Sequence, residues 1–530
     1  MLQLLLGGSG SGKTTLLYQR IRARAEKGEK SILLVPEQFT SSTEGRIYRE
    51  LGDALSGMVE SFSFTSLAEK ILSTEGGAAV QTLSDAGRAV LVRRALEELQ
   101  DNVHYYHRHR RSAAFCQMAA QTIDELKSAG LSGRQLAQLA GACGAESGKL
   151  SELALIFQGY ETLLARSGMD PSDRLELAGA RLEEALARHS LPEFLRDRAV
   201  FIDEFDTFNA PKKRLLGAML AALPSVTVAL CDDGAPLLPG DLSLFSGAKQ
   251  VAAQLRQLAR KNGAEVAVPQ LLRKDLRHRN APGLAAVAEL LETGSCTADA
   301  PAGEVRLFAA PSREEEARAA AGAIRRLMRQ GVRCGKIAVV CRDIAKYRAA
   351  IRYEFRMAEI PLYCDEPTTP EFSAPATAVR ALLEIARGAD LTENLTTLAK
   401  TGLCALSEEQ VCALENYAYT WAPTAAAWRE KFERSPKGFG EQELTEEDLR
   451  NRERAEHARA LLVGTVDAFR AKVRGVNAEA ISRAVYFCLK TLGAEEQQAA
   501  QVKAIRAGRG IPAAEEAARE WNVVMGLLNE

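Results

Sequence analysis

A glycine-rich run near the start of the chain has the residue types and the spacing that bind phosphate. An apolar stretch, residues 2–6, leads into it, and a basic helical pattern follows. Glycines let backbone N–H groups converge on phosphate oxygens, and a helix that begins there adds unpaired amides and its dipole. The pattern is a Walker A loop. The nucleotide-binding residues that it predicts are Gly7, Gly8, Ser9, Gly10, Ser11, Gly12, Lys13, Thr14 and Thr15.

Two side chains of this loop carry its chemistry. Lys13 would reach the β- and γ-phosphates of a nucleotide, and the Thr14 hydroxyl would ligate Mg²⁺. We therefore predict Lys13 as a catalytic residue and Thr14 as a metal ligand. The alternative is a chance glycine-rich turn, which the complete motif and its correct flanks on both sides disfavour.

An acidic pair, Asp203 and Glu204, follows an apolar run that begins at residue 199. A Walker B site needs this arrangement, because its first carboxylate holds the Mg²⁺ shell and its second polarises the attacking water. An ordinary buried strand with an acidic turn is the alternative. Since the chain also has a Walker A loop, we predict Asp203 as a metal ligand and Glu204 as a catalytic residue.

The elements that must position these residues are the strands of a parallel sheet. The basic helix between the first two strands predicts a βαβ unit. Strand-to-loop edges that end at Thr14, Thr40 and Thr65 fit a sheet whose functional loops share one rim. Thr65 or Ser66 is the predicted N-cap of the next helix. Strands are predicted over residues 2–6, 31–35, 58–64, 198–204 and 226–230.

A stretch with only helical patterns, from about residue 85 to 166, predicts a helical insertion between strands. Its helices are predicted over residues 86–99, 113–128, 132–139 and 150–166. Residues 104–111 within it are basic with interleaved aromatic residues, a composition that could follow a phosphate backbone and stack bases. A solvated loop is the alternative. The predicted DNA contacts here are Arg108, Arg110 and Arg111.

A second α/β pattern follows, and nearly everything after residue 373 has a helical pattern. Helices are predicted over 313–330 and 345–358, and strands over 305–309, 337–341 and 360–363. The predicted domains are a first over 1–275, the start of a second over 276–370, and a helical insertion domain over 371–530. Because the chain stops in or just past an amphipathic helix, we expect it to be part of a longer protein.

Bulk properties narrow the class of protein. A chain of 530 residues is too long for one core, so several domains are expected. Its net charge of −1 means that any DNA-binding surface must be local. The ten cysteines are scattered without a CxxC pair, which with a nucleotide site indicates a reduced, cytoplasmic protein. No apolar run is long enough to predict a membrane span.

The order of these pieces resembles the superfamily 1 helicases of the UvrD/Rep type, over about residues 1–370. That resemblance implies an α/β fold of P-loop, RecA-like parallel-sheet domains with large all-helical insertions. Residues 35–44 and 61–68 are similar to segments that contact single-stranded DNA there, and residues 272–279 to a segment with a phosphate-contacting arginine. The residues implied are Gln38, Thr40, Phe64 and Thr65 for DNA and Arg277 for the nucleotide.

The chain also departs from that helicase pattern. Asp206 stands where the helicase "DEFQDTN" motif has glutamine, and Gly234 and Ala235 follow Asp232–Asp233 where another glutamine is expected. The motifs that complete the site between the two lobes are not found before the chain ends. Unwinding by this chain alone is therefore not expected.

A more specific resemblance is to the AddB family, the B subunits of bacterial AddAB helicase–nucleases. It is carried by the Walker A loop beside Met1, by "VPEQ" at residues 35–38, by Tyr347 to Pro361, and by a helix at 521–525. It implies ATP and Mg²⁺ as cofactors, an AddA-like partner in a heterodimer, and single-stranded DNA and duplex ends as ligands. It also implies a role in processing double-strand breaks for recombinational repair, with no membrane contact.

Two further properties of that family have no counterpart in this sequence. The family carries a C-terminal nuclease domain and an iron–sulfur cluster held by four cysteines, whereas the cysteines here are dispersed. Two alternative functions remain open. One is a fragment of an autonomous UvrD-like helicase. The other is a P-loop kinase or small-molecule NTPase, which the long helical insertions and second α/β pattern disfavour.

Overall fold

A computed structural model describes residues 1–77, 82–142, 144, 147–295, 304–364, 370–440 and 443–529. The chain divides into two compact units, Met1–Phe308 and Ala309–Glu530. Each unit buries hydrophobic clusters of its own. Among the described residues, no helix has both the length and the apolar character that crossing a membrane requires.

A six-stranded sheet, parallel throughout, forms the centre of the first unit. Its strands are β1 (Leu2–Gly7), β2 (Ser31–Leu34), β3 (Val59–Phe62), β4 (Ala199–Ile202), β5 (Ser225–Cys231) and β6 (Gln270–Leu272). In space they run in the order β3-β2-β4-β5-β1-β6. The predicted α/β fold with a parallel sheet and helical insertions is confirmed, and β6 is a strand that the sequence pattern missed.

Helices surround this sheet and form the insertion. They are α1 (Lys13–Ala25), α2 (Thr40–Leu51), α3 (Asp53–Ser56), α4 (Phe64–Glu75), α5 (Asp85–Glu98), α6 (Ala113–Ser128), α7 (Gly133–Ala140), α8 (Ser147–Ser167), α9 (Pro171–Ala187), α10 (Ala210–Ala222), α11 (Ser246–Lys261) and α12 (Pro282–Thr293). The four helices predicted within residues 85–166 all form, as α5 to α8.

Both faces of the sheet are buried, which is why its strands are apolar without alternation. Leu4 packs in a cluster with residues of α4, α9, α10 and α11. Its neighbour Leu5 points to the opposite face, where it packs with residues of α1 and α2. Successive side chains of a strand point to opposite faces, so this arrangement needs an apolar residue at nearly every position and fixes the register of β1.

A buried ionic network ties the helical insertion to α9. The Lys127 ammonium donates to carboxylate oxygens of Asp170 and Asp173, each at 2.7 Å. The Tyr160 hydroxyl donates to the other Asp170 oxygen at 2.6 Å. Removing one member of such a network leaves a buried charge unpaired, which costs about 3–5 kcal/mol. The network therefore holds α6 and α8 against the start of α9.

Helix α4 begins earlier than the sequence pattern predicted. Ser63 is its N-cap: the Ser63 hydroxyl accepts the Ser66 N–H at 3.1 Å, and the Ser66 hydroxyl accepts the Ser63 N–H at 2.8 Å. The prediction of Thr65 or Ser66 as the N-cap was wrong, because Ser63 has the extended backbone that an N-cap needs. Thr65 lies in the first turn of α4 and is exposed.

The second unit is helical in all its described regular structure apart from short 3₁₀ turns. Its helices are α13 (Arg313–Arg329), α14 (Ile344–Met357), α15 (Ala374–Arg387), α16 (Leu391–Lys400), α17 (Glu408–Trp421), α18 (Glu446–Lys472), α19 (Ala478–Thr491), α20 (Ala494–Arg509) and α21 (Ile511–Asn529). A large apolar cluster fills the space between the helices from α15 onward.

The strands predicted over 305–309, 337–341 and 360–363 are not present. The apolar side chains that suggested them are exposed: Leu307 at 101%, Val340 at 91% and Tyr363 at 87%. A strand forms only where a neighbour pairs with its backbone groups. Within the described part of the chain, these three segments have no strand partner, so those predictions were wrong.

Candidate nucleotide-binding site

The loop between β1 and α1 needs glycine for two separate reasons. Gly10 and Gly12 have φ angles of +79° and +89°, in the left-handed region that side chains disfavour. At Gly7 the obstacle is space, because an added Cβ would lie 2.6 Å from the Leu272 carbonyl oxygen. The loop is therefore held between its own turns and strand β6, and only glycines fit.

The start of α1 is open to an anion. Gly12 occupies its N-cap position, no side chain caps the helix, and the first turn has no acidic residue. The first amide N–H groups of a helix have no partner within it, so those of Lys13, Thr14 and Thr15 face the loop as donors. Together with the positive end of the helix dipole, they favour a phosphate at this point.

Lys13 folds back over its own loop. Its ammonium donates to the carbonyl oxygens of Gly7 at 2.7 Å and Gly8 at 2.8 Å. Burial lowers the pKa of Lys13, and the nearby Cys231 and Asp203 act in the opposite direction. The charged end is thus already positioned at the mouth of the loop, where it can exchange carbonyl oxygens for phosphate oxygens.

Asp203 and Thr14 come together although 189 positions separate them in the sequence, since 203 − 14 = 189. Asp203 directly follows β4 and is 6% exposed, and its carboxylate is hydrogen-bonded to the Thr14 side chain. Burial raises the pKa of Asp203, and the Thr14 hydroxyl and the Glu204 N–H oppose that shift. A buried carboxylate of this kind gains most from a cation beside it.

Glu204 has a backbone conformation that is rare outside glycine. Its φ is +64°, and its N–H donates to the Asp203 carboxylate at 3.0 Å. Such strain costs about 1–3 kcal/mol and clusters at functional sites. Its side chain is exposed toward the cleft. Burial and the adjacent Asp203 charge raise the pKa of Glu204, a direction that suits a proton acceptor.

Arg277 reaches the loop from the segment that follows β6. The Leu276 N–H donates to the Gly10 carbonyl at 3.0 Å, and an Arg277 guanidinium nitrogen donates to the Ser9 hydroxyl at 3.3 Å. Asp275 fixes this turn by accepting the N–H groups of Arg277 and His278. The structure thus brings Arg277 to the glycine loop, as the sequence predicted.

The sequence missed two residues of this cleft, which has a volume of about 430 Å³, and a third beneath it. Cys231 ends β5, between the strands that carry Lys13 and Asp203. Arg46 of α2 lines the cleft too, with its guanidinium carbon 4.9 Å from the ring centre of the buried Tyr18. Burial raises the pKa of Tyr18 to about 12. No motif marks these three positions, because helix and strand packing alone places them.

The donor set suits Mg²⁺ better than a metal that needs a full protein cage. Within the described residues there is no group of three or more His, Cys, Asp or Glu side chains able to hold a metal. Mg²⁺ usually keeps several waters and takes only one or two protein oxygens beside phosphate. The paired Thr14 and Asp203 oxygens offer that number.

The predicted DNA contacts lie in two places. Gln38 and Thr40 follow β2, and Thr65 follows β3, so all three are on loops at one end of adjacent strands. Phe64 is different: it is 3% exposed, and its ring packs against Phe205 with the ring centres 5.2 Å apart. Because no base can reach it in this conformation, Phe64 belongs to the core.

Arg108, Arg110 and Arg111 lie on a segment that a carboxylate holds in place. The N–H groups of three consecutive residues, 104 to 106, all donate to the Glu152 carboxylate, at 2.9 to 3.2 Å. Arg108 and Arg111 are exposed, and Arg110 is partly buried. The segment is thus a basic surface with a fixed backbone, separate in sequence from the sheet loops.

Comparison with known proteins agrees with this architecture. The family described as ADDB, N-terminal, matches residues 4–288. The B subunit of an ATP-dependent helicase/deoxyribonuclease from Desulforudis audaxviator is 30% identical over 560 residues, covering 100% of this chain and 47% of that protein. Its namesake from Symbiobacterium thermophilum is 31% identical over 455 residues, covering 81% of this chain and 38% of that protein.

Fold and loop define the class as an α/β protein whose parallel sheet carries a glycine-rich loop at the end of its first strand. The family match covers more than half of the residues. The chain belongs to the AddB family. It spans about half the length, or less, of the curated relatives named above.

Proposed function

We propose that this chain is the nucleotide- and DNA-binding part of the B subunit of an ATP-dependent helicase–deoxyribonuclease. The observation that carries this proposal is the convergence of three elements on one cleft: the open start of α1, the Lys13 ammonium and the Thr14–Asp203 contact. Each suits a different part of Mg·ATP. The relatives' printed name supplies the ATP-dependent reaction.

The roles follow from the geometry. The amides of the first turn of α1 and the Lys13 ammonium bind the β- and γ-phosphates. Thr14 and Asp203 hold the Mg²⁺ ion, which neutralises phosphate charge when it is bound. Glu204 orients the attacking water and accepts its proton, and Arg277 adds positive charge on the Ser9 side of the loop.

DNA is the second ligand of this proposal. Gln38, Thr40 and Thr65 contact single-stranded DNA from the sheet loops, and Arg108, Arg110 and Arg111 contact its phosphates from the insertion. An AddA-like subunit is the partner, and duplex ends are the substrate of the complex. The complex then processes double-strand breaks for recombinational repair in the cytoplasm. The word "subunit" in the relatives' name supports a partner.

The test is nucleotide binding by a Lys13→Ala variant. Titrated with a fluorescent ATP analogue and Mg²⁺, the wild type binds, and the variant loses affinity at least about a hundredfold because a buried, charge-assisted contact to phosphate is removed. Lys27→Ala, in the exposed turn after α1, is the matched control and binds as the wild type does. Equal affinity of the Lys13→Ala variant and the wild type would sink the assignment.

A further inference from the structure

Arg46 is a cation inside the nucleotide cleft that belongs to neither predicted motif. It lies on α2 and is half-buried, and its guanidinium stacks on the ring of Tyr18, which is 5% exposed. It lines the same cleft as Lys13, Thr14, Thr15 and Glu204. A buried aromatic ring beneath a guanidinium fixes its position and contributes about 0.5–2 kcal/mol.

The charge of Arg46 has no fixed anionic partner among the described residues. For that part of the chain, the structure shows neither an ion pair nor a hydrogen bond of its guanidinium, although it faces the carboxylates of Asp203 and Glu204. The charge of Arg46 lowers the pKa of both, against the larger effect of burial. A half-buried guanidinium with five donors gains most from a phosphate oxygen, which it can bind through two parallel hydrogen bonds.

The two arginines of the site lie on different sides of the loop. Arg277 bonds to Ser9, near the start of the glycine run. Arg46 instead lies on the side of Thr14, Thr15 and Glu204, where the phosphate chain continues beyond Lys13. A diphosphate fills the loop itself, whereas only the third phosphate of a triphosphate extends toward Glu204.

Building on the proposed function, we propose that Arg46 binds the terminal phosphate of the nucleoside triphosphate and so makes the cleft prefer a triphosphate over a diphosphate. The charge is supplied in cis by the same sheet domain, as general phosphoryl-transfer chemistry permits. Since α2 follows directly from the loop that contains Gln38 and Thr40, occupation of the cleft by a triphosphate would also be felt at the proposed DNA surface.

The experiment compares dissociation constants for ATP and ADP, each with Mg²⁺, in the full chain by competition with a fluorescent nucleotide. Arg46→Ala loses about tenfold or more in ATP affinity, while its ADP affinity stays within about twofold of wild type. Arg46→Lys keeps the charge without the planar fork and falls between the two. Arg49→Ala is the control, because Arg49 lies on the same helix, is exposed and bonds only to the Gly45 carbonyl in the described structure.

A purely structural role for Arg46 predicts equal losses for ATP and ADP, and that result would overturn the inference. An unchanged ATP-to-ADP ratio in both Arg46 variants would overturn it as well. If Arg46→Ala fails to fold, the ratio in Arg46→Lys decides. A wild type that binds neither nucleotide refutes the proposed function itself, whereas a wild type that binds both while the ratio is insensitive to Arg46 refutes this inference alone.

Discussion

Two loops of the first unit gather backbone N–H groups, and they use them in opposite ways. At the start of α1 the amides of Lys13, Thr14 and Thr15 face a cleft without a capping side chain. At residues 104–106 three consecutive amides are already satisfied by the Glu152 carboxylate. One loop is prepared for an external anion, and the other contains its own.

The difference teaches where to look for ligand contacts. Converging amides are an anion site only when the chain does not fill them, because a donor that is already bonded gains little from a new partner. The glycine loop can therefore bind phosphate through its backbone. The segment 104–111 can bind phosphate only through side chains, which makes Arg108, Arg110 and Arg111 its proposed contacts.

The largest effect is expected when the open loop is deformed. In Gly7→Ala the new Cβ would lie 2.6 Å from the Leu272 carbonyl oxygen, so β1, β6 or both must move. Overpacking of this kind costs about 1–3 kcal/mol in unfolding free energy, and we expect ATP binding to fall below detection. Gly45→Ala on α2, where a Cβ meets nothing within 4 Å, is the control for both titration and thermal unfolding. Normal ATP binding by Gly7→Ala would show that the loop geometry is not needed.

A smaller effect is expected at the side chains of the closed loop. Replacing Arg108, Arg110 and Arg111 together by alanine should weaken single-stranded DNA binding about tenfold at low salt. It should also make the slope of log affinity against log salt shallower by about 2, since each lost phosphate contact removes about 0.7. The control replaces Arg93 and Arg94, whose exposed guanidinium groups pair with Glu97 and Glu98. An unchanged salt slope in the triple variant would contradict the DNA surface.

The smallest effect concerns the internal anion. Burial raises the pKa of Glu152, but the three amides outweigh it and hold that pKa below its ordinary value of 4.5. Glu152→Gln should therefore lower the local opening free energy of residues 104–106 by about 1 kcal/mol at pH 7, a modest figure because the site is partly exposed. Amide hydrogen exchange of these residues measures it.

The pH dependence of that contribution follows from the sign of the shift. A carboxyl whose folded pKa is depressed contributes its full stabilisation above the unfolded pKa, and the contribution is lost as pH falls through the folded pKa. The difference between wild type and Glu152→Gln should thus be constant down to about pH 5 and shrink below that. Glu97→Gln, on the exposed face of α5, should show no such difference at residues 104–106. A difference that grows on acidification would refute the role of Glu152.

The sequence predicted those strands that the sheet itself requires. Residues 2–6 and 199–202 are apolar at every position but one, and each lies between two neighbouring strands in the structure. Residues 337–341 have an equally apolar pattern, yet no strand forms there. A local pattern shows that a segment is suited to a strand, whereas the strand itself depends on a neighbour that the pattern cannot reveal.

The candidate site divides in the same way. Gly7 to Thr14 could be predicted because a phosphate loop is local in sequence, and Asp203 because a carboxylate directly after an apolar strand is typical of a Mg²⁺ ligand in a chain with such a loop. Arg46 could not, since its place in the cleft depends on the packing of α2 beside Tyr18. The burial of Phe64 was hidden for the same reason, because Phe205 covers it from a distant part of the chain.

The central claim, an open phosphate loop beside a closed one, is tested most directly by amide hydrogen exchange of the full chain with and without Mg·ATP. We predict that the amides of residues 10–15 exchange quickly without nucleotide and at least about tenfold more slowly with it. Residues 104–106 should be protected to the same degree in both conditions. Exchange at residues 10–15 that ATP leaves unchanged, or ATP-dependent protection at residues 104–106 instead, would contradict the account.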